Sequence, residues 1–328
     1  MNVKFKRKGL LSLLNKKFAV LMFIFPGLTK ANTCVDYMLS PDLPRDVMAA
    51  NNHLRSIQED FVENTVYGSD AFQYTLKKIK PISSIADLNT ALKTAGPGDM
   101  LLLADGTYDL KTDIEVAARG RSGKPIILAA AHSGQVILTG KGGLVLKAPA
   151  AYIEIRDFVF KNASSSAMST AGTSHCRWTH NVFETTGDGN DLTIAGDYQE
   201  VDHNSFLNKD AMGRFLAIRG HGSQIAKYLW IHHNYFAHYK DQGGKNGAEA
   251  FQFGLSGYSM STSTSLVEYN LFEDCNGEAE LISVKASGVT LRYNTFRDSK
   301  AQFTLRHGNH CNVYGNYFSI PRYPVFWG

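Results

Sequence analysis

The amino-acid sequence predicts an all-β chain, a parallel β-helix preceded by a short helical N-terminal segment. Three observations predict it. The tripeptide Asn-x-Phe recurs at Asn181-Val-Phe183, Asn204-Ser-Phe206, Asn234-Tyr-Phe236, Asn270-Leu-Phe272, Asn294-Thr-Phe296 and Asn316-Tyr-Phe318. These units are separated by 23, 30, 36, 24 and 22 residues, a base period of 22–24 with occasional insertions. Each follows an alternating strand such as Leu229-Trp-Ile-His-His233 or Val289-Thr-Leu-Arg-Tyr293. Strand-rich repeats of that length belong to a solenoid whose units bury their apolar faces only by stacking. A leucine-rich repeat would need recurrent L-x-x-L-x-L, which is absent. The asparagines are expected to stack in a turn, bonding to the rungs above and below, with the phenylalanines stacked in the core. That role is structural.

The elements follow in order. Residues 1–31 begin with a basic stretch (Lys4, Lys6, Arg7, Lys8, Lys16, Lys17), followed by the apolar run 18–25 and Pro26-Gly27. Thr29-Lys30-Ala31 offers a small-x-small cleavage site. The run is too short to span a bilayer, so a secretory signal peptide is expected, and with it a secreted or periplasmic protein. Residues 32–80 read as a capping segment of short helices. From residue 81 to 328 the β-helix domain is expected. Ile85–Lys93 forms one amphipathic helix closed by Gly96-Pro97-Gly98. Strands follow at Met100–Leu103, Ile126–Ala129, Val136–Leu138, Leu144–Leu146 and Tyr152–Phe160. The two longest intervals, 204–234 and 234–270, place insertions on one side of the coil, where binding loops lie.

The 328 residues suffice for a sizeable core. The chain carries 34 basic and 30 acidic residues, a net charge of +4. Removing the leader, with its seven Lys/Arg and no Asp/Glu, leaves 27 basic against 30 acidic residues, a net charge of −3. Nothing then points to nucleic acid, and no later segment is apolar enough for a membrane. A monomer is expected. The four cysteines, Cys34, Cys176, Cys275 and Cys311, make neither a disulfide scaffold nor a CxxC metal site. Three lie close to Asn-x-Phe units and read as buried thiols.

The candidate chemistry is concentrated between residues 270 and 310. Glu278 and Glu280 are two residues apart, so on a strand they would face one side, about 6–7 Å apart. That pair suits one hard cation such as Ca²⁺. Lys285 and Arg306 are 21 residues apart, close to the repeat, which sets them on adjacent rungs about 4.8 Å apart. A uronic-acid polymer can be cleaved by removing the C5 proton and expelling the O4-linked sugar. A cation on the substrate carboxylate disperses the developing charge, and a basic side chain takes the proton. Lys285 is the base candidate, with nearby positive charge favouring its neutral form, and Arg306 assists the leaving oxygen.

Gly277-Glu-Ala-Glu-Leu-Ile-Ser-Val-Lys285, followed by Leu305-Arg-His-Gly-Asn309, resembles polysaccharide lyase family 6, the alginate lyases and chondroitinase B. The similarity extends to Asn246-Gly-Ala-Glu-Ala-Phe-Gln-Phe-Gly254 and to the segment Pro97–Tyr108. The resemblance implies a right-handed parallel β-helix with Lys285 as Brønsted base and Arg306 as acid. It makes Asn246, Glu278 and Glu280 the calcium ligands, and His307, Arg219 and His221 groove residues that bind substrate. Members of the family continue for further coils, so the C-terminal coils are expected to be missing here, and residues 32–80 fall outside the family core.

Competing readings are weighed on the same residues. His232 and His233 alternate on a strand, so only one can face inward, a poor metal pair. Asp188-Gly-Asn-Asp191 lacks the length and terminal Glu of an EF-hand loop and reads as a turn. The expected function is a calcium-dependent lyase of an acidic polysaccharide, alginate before dermatan or chondroitin sulfate, because the modest charge provides few cations for sulfated sugars. A truncated, non-catalytic polysaccharide-binding protein is the alternative from another class. A β-helix hydrolase would use an Asp/Glu pair without needing the lysine.

Overall fold

A computed structural model of the chain describes residues 78–319. The expected signal peptide, Cys34 and the expected helical cap up to residue 77 lie outside the described residues. The first strand, Lys78–Ile82, starts three residues ahead of the boundary expected at Pro81. Ser84 then caps the helix Ile85–Leu92, its hydroxyl accepting the Asp87 N–H at 3.1 Å, and Leu88 and Leu92 turn into the core.

Beyond the helix the chain winds through three parallel sheets of ten, nine and eight strands. One coil illustrates the path. Trp230–His232 joins the ten-stranded sheet, Tyr235–Tyr239 the nine-stranded sheet and Phe251–Phe253 the eight-stranded sheet, before Thr262–Glu268 returns to the first. Strands Ile126–Ala130, Val136–Gly140 and Leu144–Leu146 form where alternation predicts them. The single strand expected over Tyr152–Phe160 is two, Ile153–Arg156 and Phe158–Phe160, because Asp157 turns the corner at φ 71°.

The repeat holds the coils in register. Asn181, Asn204, Asn234, Asn270, Asn294 and Asn316 form a ladder, buried from Asn181 to Asn294, in which each Nδ2 donates to the next Oδ1 at 2.9–3.1 Å. Each Oδ1 also accepts the preceding asparagine's backbone N–H. Beside it, Phe160, Phe183, Phe206, Phe236, Phe272, Phe296 and Phe318 stack with centroids 4.5–5.1 Å apart. Offset stacking at the rung spacing lets one ring per coil fill the core without a gap. Cys176 and Cys275 are buried thiols as expected, and burial pushes Cys176 up to about 11; Cys311 is only half-buried.

Both long intervals place their extra residues around the eight-stranded sheet. The hairpin Gly220–His221 with Gln224–Ile225 follows Leu216–Ile218, residues 240–250 precede Phe251–Phe253, and a 3-10 turn Ser256–Tyr258 follows it. This sheet therefore carries the loops. No helix among the described residues is long and apolar enough to cross a membrane.

Candidate active site

Four rungs of the eight-stranded sheet build the site: Leu216–Ile218, Phe251–Phe253, Glu280–Val284 and Gln302–Leu305. Ile218, Phe253, Val284 and Leu305 share one register position, with the first three buried in the core. The residues one step further on, Arg219, Lys285 and Arg306, point away from it by simple alternation. Backbone bonds from Lys285 N–H to Phe253 O (2.8 Å) and from Arg306 N–H to Val284 O (2.9 Å) continue the rungs through these positions. Lys285 and Arg306 thus sit on neighbouring rungs, as their spacing predicts.

The acidic residues reach the same face by a less regular route. Strict alternation from core-facing Ile282 would turn Glu280 inward. The register shifts between Glu280 and Ile282, where Gln302 and Phe303 face them consecutively. This bulge lets Leu281 bury beside Ile282 and leaves Glu280 outside, next to Arg306. Glu278 is not on the strand, contrary to the expectation, but in the bend before it. Gly277 makes that bend possible, because a Cβ there would collide with the Ala248 carbonyl and the Tyr239 ring. The close approach brings the Glu278 carboxylate onto the N–H groups of Gly247 and Ala248, the latter at 2.9 Å.

A third carboxylate completes the group. Oxygens of Glu249, Glu278 and Glu280 lie within 4.8 Å of one another. Glu249 is fully buried; its Oε2 accepts Arg214 Nε at 2.9 Å and Nη2 at 2.8 Å, and its Oε1 accepts Lys285 Nζ at 3.2 Å and the Gln252 amide. Burial pushes the Glu249 carboxyl up, but Arg214, Lys285 and Gln252 outweigh it and hold the group below the usual carboxylate range. Glu280 is not saturated in this way: its Oε1 accepts from Arg306 Nη1, while its Oε2 is buried with no partner. Beside the cluster opens a cleft of about 460 Å³ whose lining includes Ser165, Asp188, Asn190, Arg214, Asn246 and Gly247.

A family model described as chondroitinase B matches residues 82–322. The chain belongs to polysaccharide lyase family 6. The solved structure of the family 6 alginate lyase AlyGC is similar at 31% identity and a TM-score of 0.67, covering 74% of this chain and 35% of that one. A mannuronic-acid-specific family 6 lyase from human gut microbiota is 29% identical with a TM-score of 0.64, covering 74% of this chain and 59% of that one. The chain therefore spans about a third and about three fifths of the lengths of these relatives. No curated protein sequence matches it.

In this family 6 chain the structure gathers Glu278, Glu280, Lys285 and Arg306 on one face. Asn246 is exposed at the cleft, next to Gly247, whose N–H holds Glu278. Arg219 is half-buried and reaches the network indirectly, its Nη2 donating to Gln252 Oε1 at 2.5 Å; burial and Arg214 lower it to about 10. His307 is exposed beside Arg306, and His221 is exposed on the hairpin beyond Arg219, among neither the carboxylates nor their partners. Glu249, Gln252 and Arg214 were not singled out from the sequence. Glu249 lies inside the Asn246–Gly254 motif, and its three-residue distance from Asn246 was the available signal.

A second group among the described residues, Glu200, Asp202 and His232, lies on the outer face of the ten-stranded sheet. Arg177 already grips Asp202 through Nε and Nη2, both at 2.7 Å, and Thr179 and His203 bind the same carboxylate. This is a satisfied charge network. His232 shares the outward row of Asp202 and Glu268, and His233, just past the strand's end at φ 54°, stacks on His203.

Proposed function

We propose that the chain cleaves a uronic-acid polymer, alginate first among them, by β-elimination assisted by calcium. The observation that carries the reading is the placement of Lys285 and Arg306 on adjacent rungs beside carboxylates of which one oxygen, Glu280 Oε2, is buried and unpartnered. All-oxygen donors with an orphaned carboxylate oxygen fit a hard cation. Glu278 and Glu280, with Asn246 at the cleft edge, would hold it, and when bound it would draw charge from the substrate carboxylate.

The chain's own groups perform the rest. As the free amine, its ammonium proton having passed to solvent, Lys285 Nζ keeps its hydrogen bond to Glu249 Oε1 and takes the C5 proton. As the C5–H bond breaks, its electron pair forms the C4–C5 double bond and the C4–O4 bond breaks. Arg306, half-exposed at the site's edge, stabilises the departing oxygen and delivers a proton to it. The cleft beside the carboxylates supplies the path for the polymer. Dermatan or chondroitin sulfate is the second reading, favoured by the chondroitinase B description of the matching family model. The basic and apolar pattern of residues 1–31 supports export to the periplasm or beyond.

The test is ultraviolet absorbance from unsaturated ends on mixing the protein with alginate or dermatan sulfate, with and without a calcium chelator. Absorbance on alginate that vanishes with chelator and in Lys285→Ala is the expected result. A folded protein that retains polymer without producing the signal would instead be a binding protein.

A further inference from the structure

Glu249 belongs to no expected ligand set, yet it is the most heavily engaged side chain of the site. Its oxygens accept four donors: two nitrogens of Arg214 on Oε2, and Lys285 Nζ with the Gln252 amide on Oε1. Gln252 is itself fixed from the other side by Arg219, so its amide faces Glu249 in one orientation. This separates Glu249 from Glu280, although both belong to the same carboxylate group. Glu280 keeps a buried oxygen free for a cation; Glu249 keeps none.

We propose that Glu249 is the positioning residue for Lys285, a buried anchor that sets where the base stands rather than a third cation ligand. A lysine side chain is a flexible four-carbon stem carrying a point charge, so a base of this type needs an external contact to define its place. Proton abstraction requires that place to lie within hydrogen-bond reach of the substrate's proton. Arg214 holds the anchor from the cleft side and Glu249 passes that fixed geometry to Lys285 on the next rung. The inference rests on Lys285 being the base.

The experiment compares the full chain with Glu249→Gln, which keeps the shape and removes the charge, and Glu249→Asp, which keeps the charge and withdraws it by one methylene. Crystal structures locate Lys285 Nζ, calorimetric titration with calcium alone measures cation affinity, and absorbance assays separate kcat from KM. Expected are a displaced Lys285 in Glu249→Gln, calcium affinity within about threefold, and kcat lowered about 100-fold with KM nearly unchanged. Glu249→Asp should fall between the two. Calcium affinity lowered tenfold or more would overturn the proposal in favour of a ligand role. So would an unmoved Lys285, or loss of folding in both variants, which would make Glu249 structural. Should the parent protein cleave no uronate polymer, the lyase reading fails, while the Lys285 position and calcium affinity still decide whether Glu249 is an anchor.

Discussion

Arg306 Nη1 binds Glu280 Oε1 across one rung, and the other oxygen of that carboxylate, Oε2, is buried without a partner. One carboxylate is thus divided between the acid candidate and the place where a cation would sit. An unpaired buried carboxylate oxygen is costly, and a bound cation would remove that cost. Calcium should therefore raise the melting temperature of the protein, because it binds only the folded chain. Glu280→Gln should weaken calcium binding at least tenfold, about 1.4 kcal/mol, and abolish most of the calcium-induced shift in calorimetry.

Arg306 is expected to act through its planar fork as well as its charge. Arg306→Lys should lower kcat by roughly 10²-fold and Arg306→Ala by up to about 10³-fold, with folding intact. His221→Ala, exposed on the hairpin and not bonded to the carboxylates, should lower kcat/KM less than Arg306→Lys does. A reversal of that order would remove Arg306 from the chemistry.

Asn234 sits mid-ladder, with its Nδ2 donating to Asn270, Val201 and His232 and its Oδ1 accepting two bonds from Asn204. Asn234→Ala leaves several of these buried groups unpaired and should cost about 2–4 kcal/mol in urea unfolding. A loss below about 1 kcal/mol would mean that the ladder adds little to stability.

Stability should depend on pH through the outer face of the ten-stranded sheet. Burial lowers His232 to about 4 and His233 to about 3, so the folded state keeps both neutral. The unfolded chain takes up those protons below about 6.5, and their contribution to stability is lost as pH falls from there towards 4. Burial raises Glu200 to about 7, which works in the opposite direction: its cost to stability grows as pH rises from the ordinary carboxylate range and is complete above about 7. Melting temperatures should fall between pH 6.5 and 4, less steeply in His233→Gln. Glu200→Gln should raise the melting temperature more at pH 8 than at pH 5.

Much of the fold was legible because the constraints that set it are periodic. One asparagine and one phenylalanine per coil must stack on their counterparts, so they recur at the coil length, and this spacing also placed Lys285 beside Arg306. The carboxylates were legible as residues but not as geometry. Their proximity comes from a bulge at Leu281 and from a bend at Gly277 pressed onto Ala248, and neither leaves a periodic mark.

The sequence by itself determined the parallel β-helix, the family to which the chain belongs and the rungs on which the two candidate catalytic side chains stand. These depend on local alternation and on repeat length, which are properties of the chain order. Only the tertiary structure decided that Glu249 bridges Arg214 and Lys285 and that Gln252 links them to Arg219. Such contacts join residues 33–36 positions apart through side-chain direction, and side-chain direction at a bulge or a bend is set by what the neighbouring coils leave room for.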